Sequence, residues 1–168
     1  MKETGILRRI DELGRIVIPK EIRKKLKIRN GDNLDIFTEG NRIILEKYNP
    51  LNNLDFTLDI LLELVKRKYD LKVIVTDVEK VIASSKKEVI ANDILSSELV
   101  NLISKNETMF INKETFITID TTASNFTIRP IVSYGVLFGC LIYFYDNTFT
   151  SLEIVDLILE FSSSYIET

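Results

Sequence analysis

The sequence has no histidine, no tryptophan and a single cysteine among its 168 residues. Without histidine the chain lacks the usual base at neutral pH and the most common zinc ligand. Its 6 glycines form no phosphate-binding loop motif. The one cysteine, Cys140, cannot form an internal disulfide, and its apolar neighbours predict a buried side chain. These absences predict no enzymatic activity, no metal site and no cofactor.

Long hydrophobic runs are also missing. No run of about 18 apolar residues occurs, so we expect no membrane-spanning helix and no contact with a membrane. The first ten residues contain a glutamate and two arginines but no apolar segment typical of a secretory signal. With 45% hydrophobic residues and a mean hydropathy of +0.08, the composition predicts an ordinary globular protein of the cytoplasm.

The charge is divided unevenly along the chain. Residues 1–50 contain 12 Lys and Arg against 8 Asp and Glu, a net charge of +4, whereas residues 51–168 contain 10 against 17, a net charge of −7. Such asymmetry is typical of a basic module that meets a polyanion, joined to an acidic module that does not. An uneven surface charge with no partner is the alternative interpretation.

The basic module begins with two short stretches of β-forming residues, 4–10 and 15–18, around a tight turn at Asp11–Gly14. We expect two strands joined by this turn. Pro19 suits the first position of a helix, where its missing N–H costs nothing, and the helix is predicted to run to about Leu26. A local salt bridge is the expected role of Asp11.

A second hairpin is predicted in the same module. A third strand is predicted to begin at Leu34, a turn occurs at Glu39–Asn41, and a fourth strand covers Ile43–Tyr48. Fifty residues of short strands cannot bury enough apolar surface alone, and no cysteine or metal ligand compensates. We therefore expect two copies to close one small barrel. The segment Asn49–Asn53 is the predicted linker, which places the domains at residues 1–50 and 51–168.

The second domain is predicted to be an α+β sandwich with a helix near each end. The helices Leu54–Tyr69 and Leu152–Ile166 are apolar on two sides, so each should be buried on both. We expect both on one face of an antiparallel sheet, and two copies to pack them into a four-helix bundle, giving a homotetramer. Between them, a short helix is predicted at 96–104 and strands at 71–76, 80–84, 109–112, 115–119, 126–133 and 136–145.

The basic module resembles the AbrB/SpoVT family of bacterial DNA-binding domains. The resemblance lies in these segments: Thr4–Gly5, Arg8–Arg9, Asp11–Pro19, Glu21–Arg23 and Ile43–Tyr48. It implies a swapped-hairpin β-barrel dimer that presents cationic side chains to double-stranded DNA. The length and layout are similar to family members in which this barrel precedes a GAF-like α/β sandwich.

The resemblance also implies which side chains meet DNA. These are Arg8, Arg15, Arg23 and the position of Lys24, where the family commonly has arginine. A lysine binds a phosphate as a point charge and lacks the two-pronged geometry of arginine. Arg9 and Lys25 adjoin these positions and complete the predicted set. Specificity is then expected from base contacts or from the shape of the duplex.

A small ligand in the GAF-like domain is a further expectation, although its chemistry is not readable. Arg129 could anchor an anion, or it could be exposed or paired with a carboxylate. Five aromatic residues could line a pocket or form ordinary core: Phe110, Phe116, Phe126, Phe138 and Tyr143.

The resemblance implies a nucleoid-associated regulator of sporulation or transition-state genes. The alternative is a DNA-binding antitoxin that neutralises a toxin partner, although such proteins end in a short disordered tail. An enzyme built on a carboxylate pair such as Asp77 and Glu79 is disfavoured.

Overall fold

A computed structural model of the protein describes residues 5–26, 28, 30, 34–144 and 152–166. The chain divides into two compact units, Met1–Tyr48 and Asn49–Thr168. Each unit is described by itself.

The first unit contains one short helix and one hairpin. Helix α1 covers Lys20–Lys25, and Pro19 is its N-cap, so the predicted helix forms but begins one residue later than expected. Strand β1 (Leu34–Glu39) pairs antiparallel with β2 (Arg42–Lys47). Gly40 in the connecting turn has a φ of +58°, a conformation that glycine adopts without steric cost. The second hairpin is therefore confirmed as well.

The two strands predicted at 4–10 and 15–18 do not form within the single chain. Residues 5–10 and 15–19 contain no strand, and Thr4 lies outside the described residues. We call these two segments, 5–10 and 15–19, the arms. In the described chain, one backbone hydrogen bond joins them, from Asp11 N–H to the Arg15 carbonyl at 3.0 Å. A strand pair needs a continuing ladder of such bonds. The arms therefore meet at their turn and not beyond it.

The first unit leaves most of its large apolar side chains in solvent. Leu7 is 93% exposed and Leu13 is 75% exposed, and α1 contains no buried residue. Other exposed members of this set are Ile10, Ile16, Val17, Ile36 and Ile43. A folded domain of this size normally buries such residues to offset the loss of chain entropy. The residues of this unit that the structure describes therefore form no hydrophobic core within one copy.

The segment predicted to be a linker is instead part of the second unit. Pro50–Leu54 forms a 3-10 helix, and Leu51 within it is fully buried. Asn49 caps this helix, since its side-chain oxygen accepts the Leu51 N–H at 3.1 Å. The Asn49 amide also donates to the Phe138 carbonyl at 2.8 Å. The proline and the asparagine therefore begin a helix at this point, and the burial of Leu51 and Leu54 in the core stabilises it.

The second unit is built on a five-stranded antiparallel sheet flanked by three helices. The strand order is β4-β3-β9-β8-β5, and a separate two-stranded ribbon joins β6 to β7. The elements are α2 (Asp55–Tyr69), β3 (Lys72–Thr76), β4 (Val81–Ser84), α3 (Ser97–Ile103), β5 (Met109–Ile111), β6 (Thr115–Phe116), β7 (Thr122–Ala123), β8 (Phe126–Ser133), β9 (Val136–Phe144) and α4 (Leu152–Ile166).

The sheet separates two hydrophobic cores, as the two-residue period of a strand requires. Val73 and Val75 of β3 pack with α2 and α4, whereas Ile74 between them packs with α3. Leu58 of α2 and Val155 of α4 share the first core. The predicted α+β class, with both long helices on one sheet face, is therefore confirmed.

The two apolar stripes of α2 have different environments. Leu58, Leu62 and Val65 are buried, but Phe56 is 74% exposed and Ile60 is 50% exposed. Burial of both stripes, as predicted, therefore does not occur within one chain. Helix α4 likewise exposes Leu157, Phe161 and Tyr165.

Candidate nucleic-acid interface

The turn at Asp11–Gly14 is closed by both backbone and side-chain hydrogen bonds. Gly14 N–H donates to the Asp11 carbonyl at 2.9 Å, and Gly14 has a φ of +76°, where a side chain would be strained. The Asp11 oxygen Oδ1 accepts from the N–H of Leu13 at 3.0 Å and of Arg15 at 2.8 Å. One carboxylate oxygen therefore holds the backbone on the far side of the turn.

The second oxygen of the same carboxylate binds the side chain of Arg15. Asp11 Oδ2 lies 2.7 Å from Arg15 Nε, although the Arg15 side chain is 72% exposed. The backbone and then the side-chain hydrogen bonds of Arg15 hold the pKa of Asp11 below its ordinary value. The carboxylate is thus ionised at neutral pH, and the salt bridge expected of Asp11 is confirmed.

Four other predicted cations of the first unit extend into solvent. Arg8, Arg9, Lys24 and Lys25 are exposed, and Arg8 Nη1 donates to the neighbouring Leu7 carbonyl at 3.2 Å. The last turn of α1 carries the two lysines, where positive charge also suits the helix dipole.

Arg23 differs from the other five because it is half-buried. Its Nη1 donates to Asn30 Oδ1 at 3.3 Å, and its carbonyl accepts the Ile28 N–H at 2.8 Å. The buried Arg23 Nε has no hydrogen-bond partner among the described residues. Part of this guanidinium therefore holds the chain that follows α1. Sequence spacing did not reveal the Asn30 contact, because the residues between them have no periodic pattern.

In the second unit, the residue singled out as an anion anchor has a structural partner. Arg129 of β8 forms an ion pair with Asp156 of α4. The alternative that Arg129 is paired with a carboxylate is therefore confirmed, and the pair links the sheet to the last helix.

The aromatic residues considered for a pocket are divided between core and surface. Phe126 and Tyr143 are buried, Phe138 packs against the core at partial exposure, and Phe110 and Phe116 are exposed. Phe126 packs in the core on the α3 side of the sheet, whereas Tyr143 packs on the α2 side.

A groove of about 390 Å³ lies beside α2, lined by Asp59, Glu63 and Lys66 and by residues 84–87 and 89–91. Desolvation raises the pKa of the Asp59 carboxyl. Two of the lysines here are paired, Lys66 with Glu63 at 3.2 Å and Lys86 with Glu88 at 2.9 Å. None of the residues predicted to bind a ligand belongs to this groove.

The carboxylate and the thiol considered in the sequence analysis have structural roles. Asp77 Oδ1 accepts the N–H groups of Glu79 and Lys80, which closes the β3–β4 turn. Burial raises the pKa of the Cys140 thiol to about 12, so this thiol stays protonated and buried as predicted. Within the described ranges no acidic or cysteine cluster could hold a metal ion. None of the described helices could span a membrane.

Comparison with known proteins finds relatives of the first part of the chain and of nearly the whole chain. Residues 7–52 match the family profile described as "Antidote-toxin recognition MazE, bacterial antitoxin". Stage V sporulation protein T of Bacillus subtilis is 36% identical over 165 residues, covering 91% of this chain and 90% of its own. The transition state regulatory protein AbrB of the same organism is 54% identical over 50 residues, which cover 30% of this chain and 52% of AbrB.

Two solved structures add to these relatives. The N-terminal DNA recognition domain of B. subtilis AbrB covers 30% of this chain and 94% of its own, with a TM-score of 0.26 and 54% identity. The cofactor-binding GAF domain of the nutrient sensor CodY from Clostridium difficile covers 63% of this chain and 79% of its own. Its identity is 18% and its TM-score 0.42, too distant to bear on what the second unit binds.

The relative that is similar along nearly the whole length of both proteins decides the assignment. The closely matching first 50 residues carry the exposed arginines and the Asp11–Gly14 turn described above. The chain therefore belongs to the AbrB/SpoVT family of DNA-binding transcriptional regulators.

Proposed function

We propose that the chain binds double-stranded DNA as a homo-oligomer and regulates sporulation or transition-state genes from the nucleoid. In this proposal residues 1–50 form the DNA-binding domain and residues 51–168 a GAF-like regulatory domain. The DNA contacts are assigned to Arg8, Arg9, Arg15, Arg23, Lys24 and Lys25.

The observation that carries this proposal is the surface of the first unit. Its arginines and lysines that the structure describes are exposed, apart from the half-buried Arg23, and residues 1–50 have a net charge of +4. Phosphate contacts from such side chains supply most of the sequence-independent affinity for a duplex. Arginine can also read guanine with two hydrogen bonds, which adds specificity.

Dimerisation of the first unit follows from what it leaves exposed. Leu7, Leu13 and Val17 lie in solvent, and among the described residues the arms at 5–10 and 15–19 share no backbone hydrogen bond beyond the turn. A second copy would cover these side chains and pair these strands, since both are unfavourable in water. A swapped-hairpin barrel of two chains meets both requirements and doubles the number of cations.

The salt dependence of DNA binding tests the proposal. If about four cations per chain contact phosphates, a dimer has about eight, and log K should fall with log salt with a slope near −7. Fluorescence anisotropy with a labelled duplex, between roughly 50 and 200 mM salt, measures this slope. Binding that is absent at low salt, or a slope near zero, would contradict the proposal.

The exposed stripe of α2, together with α4, is proposed to join two dimers into a tetramer. Ile60→Asp would place a charge in this apolar contact in every copy. An unpaired buried charge costs several kcal/mol, so we expect the variant to sediment as a dimer under conditions where the wild type is a tetramer. Asn101→Asp, an exposed change on α3 at the other sheet face, is the control and should leave the tetramer intact. Equal sedimentation of both variants would refute the helix contact.

The antitoxin function is the second candidate, because the matching family profile is named for toxin recognition. That match ends at residue 52, however, and the rest of the chain has two packed cores. A toxin-wrapping tail is expected to be short and disordered. Co-purification of a nuclease with the full chain would favour this alternative. The small ligand in the second unit stays a prediction.

A further inference from the structure

Asp11 is a carboxylate in the middle of the segment that is proposed to bind DNA. On its own, a negative charge at such a position repels phosphates and weakens binding. Its contacts suggest a different contribution, because both of its oxygens are engaged on the Arg15 side of the turn.

We propose that Asp11 is a positioning residue for DNA binding, which holds Arg15 at its Nε so that its two terminal nitrogens are presented to the duplex. The inference rests on the proposed DNA binding and adds to it a residue with the opposite charge. The 2.7 Å contact uses Arg15 Nε alone, and the terminal nitrogens have no protein partner within the described part of the chain.

The geometry accounts for how one residue can fix a long exposed side chain. Oδ1 holds the Arg15 backbone N–H at 2.8 Å, and Oδ2 holds the Arg15 Nε at 2.7 Å. The two ends of the Arg15 side chain stem are therefore tied to one rigid group. Gly14, with its φ of +76°, allows the tight turn that brings this carboxylate over Arg15.

Such fixing should strengthen binding by reducing the entropy that Arg15 loses when it contacts DNA. Immobilising one rotamer-rich side chain at an interface corresponds to about a 2- to 10-fold change in affinity. A dimer contains two such arginines. The effect is opposite in sign to the simple electrostatic effect of a carboxylate, so the two can be separated by experiment.

Asp11→Asn is the informative variant. The asparagine oxygen can still accept from the backbone N–H groups of Leu13 and Arg15, but an NH₂ group replaces the oxygen that accepts from Arg15 Nε. Glu12→Gln is the matched control, because Glu12 is exposed on the same turn and has no partner among the described residues. Both substitutions remove one negative charge per chain.

The experiment is an anisotropy titration of a labelled duplex with the full chain at one salt concentration. We expect Asp11→Asn to weaken the affinity for the duplex by about 2- to 10-fold. Glu12→Gln should leave this affinity unchanged or strengthen it. If Asp11→Asn strengthens binding as Glu12→Gln does, the positioning role is overturned while DNA binding stands. If the wild type does not bind, the proposed function itself fails.

A second comparison separates positioning from a general role in folding the turn. In an Arg15→Ala background, Asp11→Asn should cause no further loss of affinity, since there is no guanidinium left to hold. A turn that merely misfolds would weaken binding through the other arginines in that background too. Sedimentation of each variant checks that the oligomer is intact.

Nuclear magnetic resonance of the wild type gives a test that needs no variant to fold. The Arg15 Nε–H proton should exchange with water more slowly than that of Arg9, which is exposed. Equal exchange rates for the two protons would overturn the inference.

Discussion

Replacing Arg8 and Arg15 together with alanine is expected to weaken binding to a duplex by about 1,000-fold or more at physiological salt. Both side chains are exposed and lie on either side of the Asp11–Gly14 turn. A dimer loses four cations, and a loss of about 1 kcal/mol for each, the lower end for an arginine–base contact, multiplies to this factor. The slope of log K against log salt should also become shallower by about 4, since each phosphate contact contributes about 0.9.

The control for this variant removes two lysines from the acidic second unit, Lys87→Ala with Lys105→Ala. Both are exposed, and the change in net charge is the same. If affinity depends only on total charge, the two double variants will be equally weak. A loss of less than tenfold for the arginine variant would show that these guanidinium groups do not carry binding. Anisotropy titrations at two or more salt concentrations measure both quantities.

Gly139→Ala is expected to destabilise the second unit by about 3 kcal/mol or more, at the upper end of overpacking effects. A β-carbon built at Gly139 in β9 would lie 1.9 Å from the Thr76 carbonyl oxygen and 2.9 Å from Asp77 Cα. Both are backbone atoms of the neighbouring strand end, so they cannot turn away as a side chain would. The central pair β3–β9 would have to separate locally, and Cys140 and Leu141 beside it are fully buried.

Gly135→Ala in the β8–β9 turn is the matched comparison. A β-carbon there would meet nothing within 4 Å, but the φ of +75° makes alanine strained by about 1–2 kcal/mol. Urea unfolding of the full chain, followed by circular dichroism, ranks the two variants. If Gly139→Ala is no more destabilising than Gly135→Ala, the close approach of the two strands is not rigid.

The functional residues show which parts of the candidate site can be predicted from a local sequence pattern. The pairing of Asp11 with Arg15 is local, because Asp-x-x-Gly turns bring a side chain back to the backbone a few residues on. The exposed cations were recognisable because a resemblance to a family gave their positions. The contact of Arg23 with Asn30 spans seven residues without a periodic element. Its half-burial was therefore not predictable.

The same distinction applies to the fold. Helix α1 after Pro19, helix α2 and the β8–β9 hairpin depend on periodicity and turn residues within about fifteen positions, and all three were predicted. Asn49–Asn53 was misassigned as a linker, since Leu51 packs in a core formed by distant parts of the chain and Asn49 donates to the Phe138 carbonyl, 89 residues away. Local composition does not contain that information.

By itself the sequence determined the type and order of most elements, the basic first half and the turn that carries Arg15. These depend on side-chain period, charge and turn chemistry, which are properties of neighbouring residues. Only the tertiary structure decided that Arg129 pairs with Asp156 and that one stripe of α2 stays exposed. These outcomes depend on which distant surfaces meet and how much apolar area each meeting buries, and no single segment of the chain encodes either quantity.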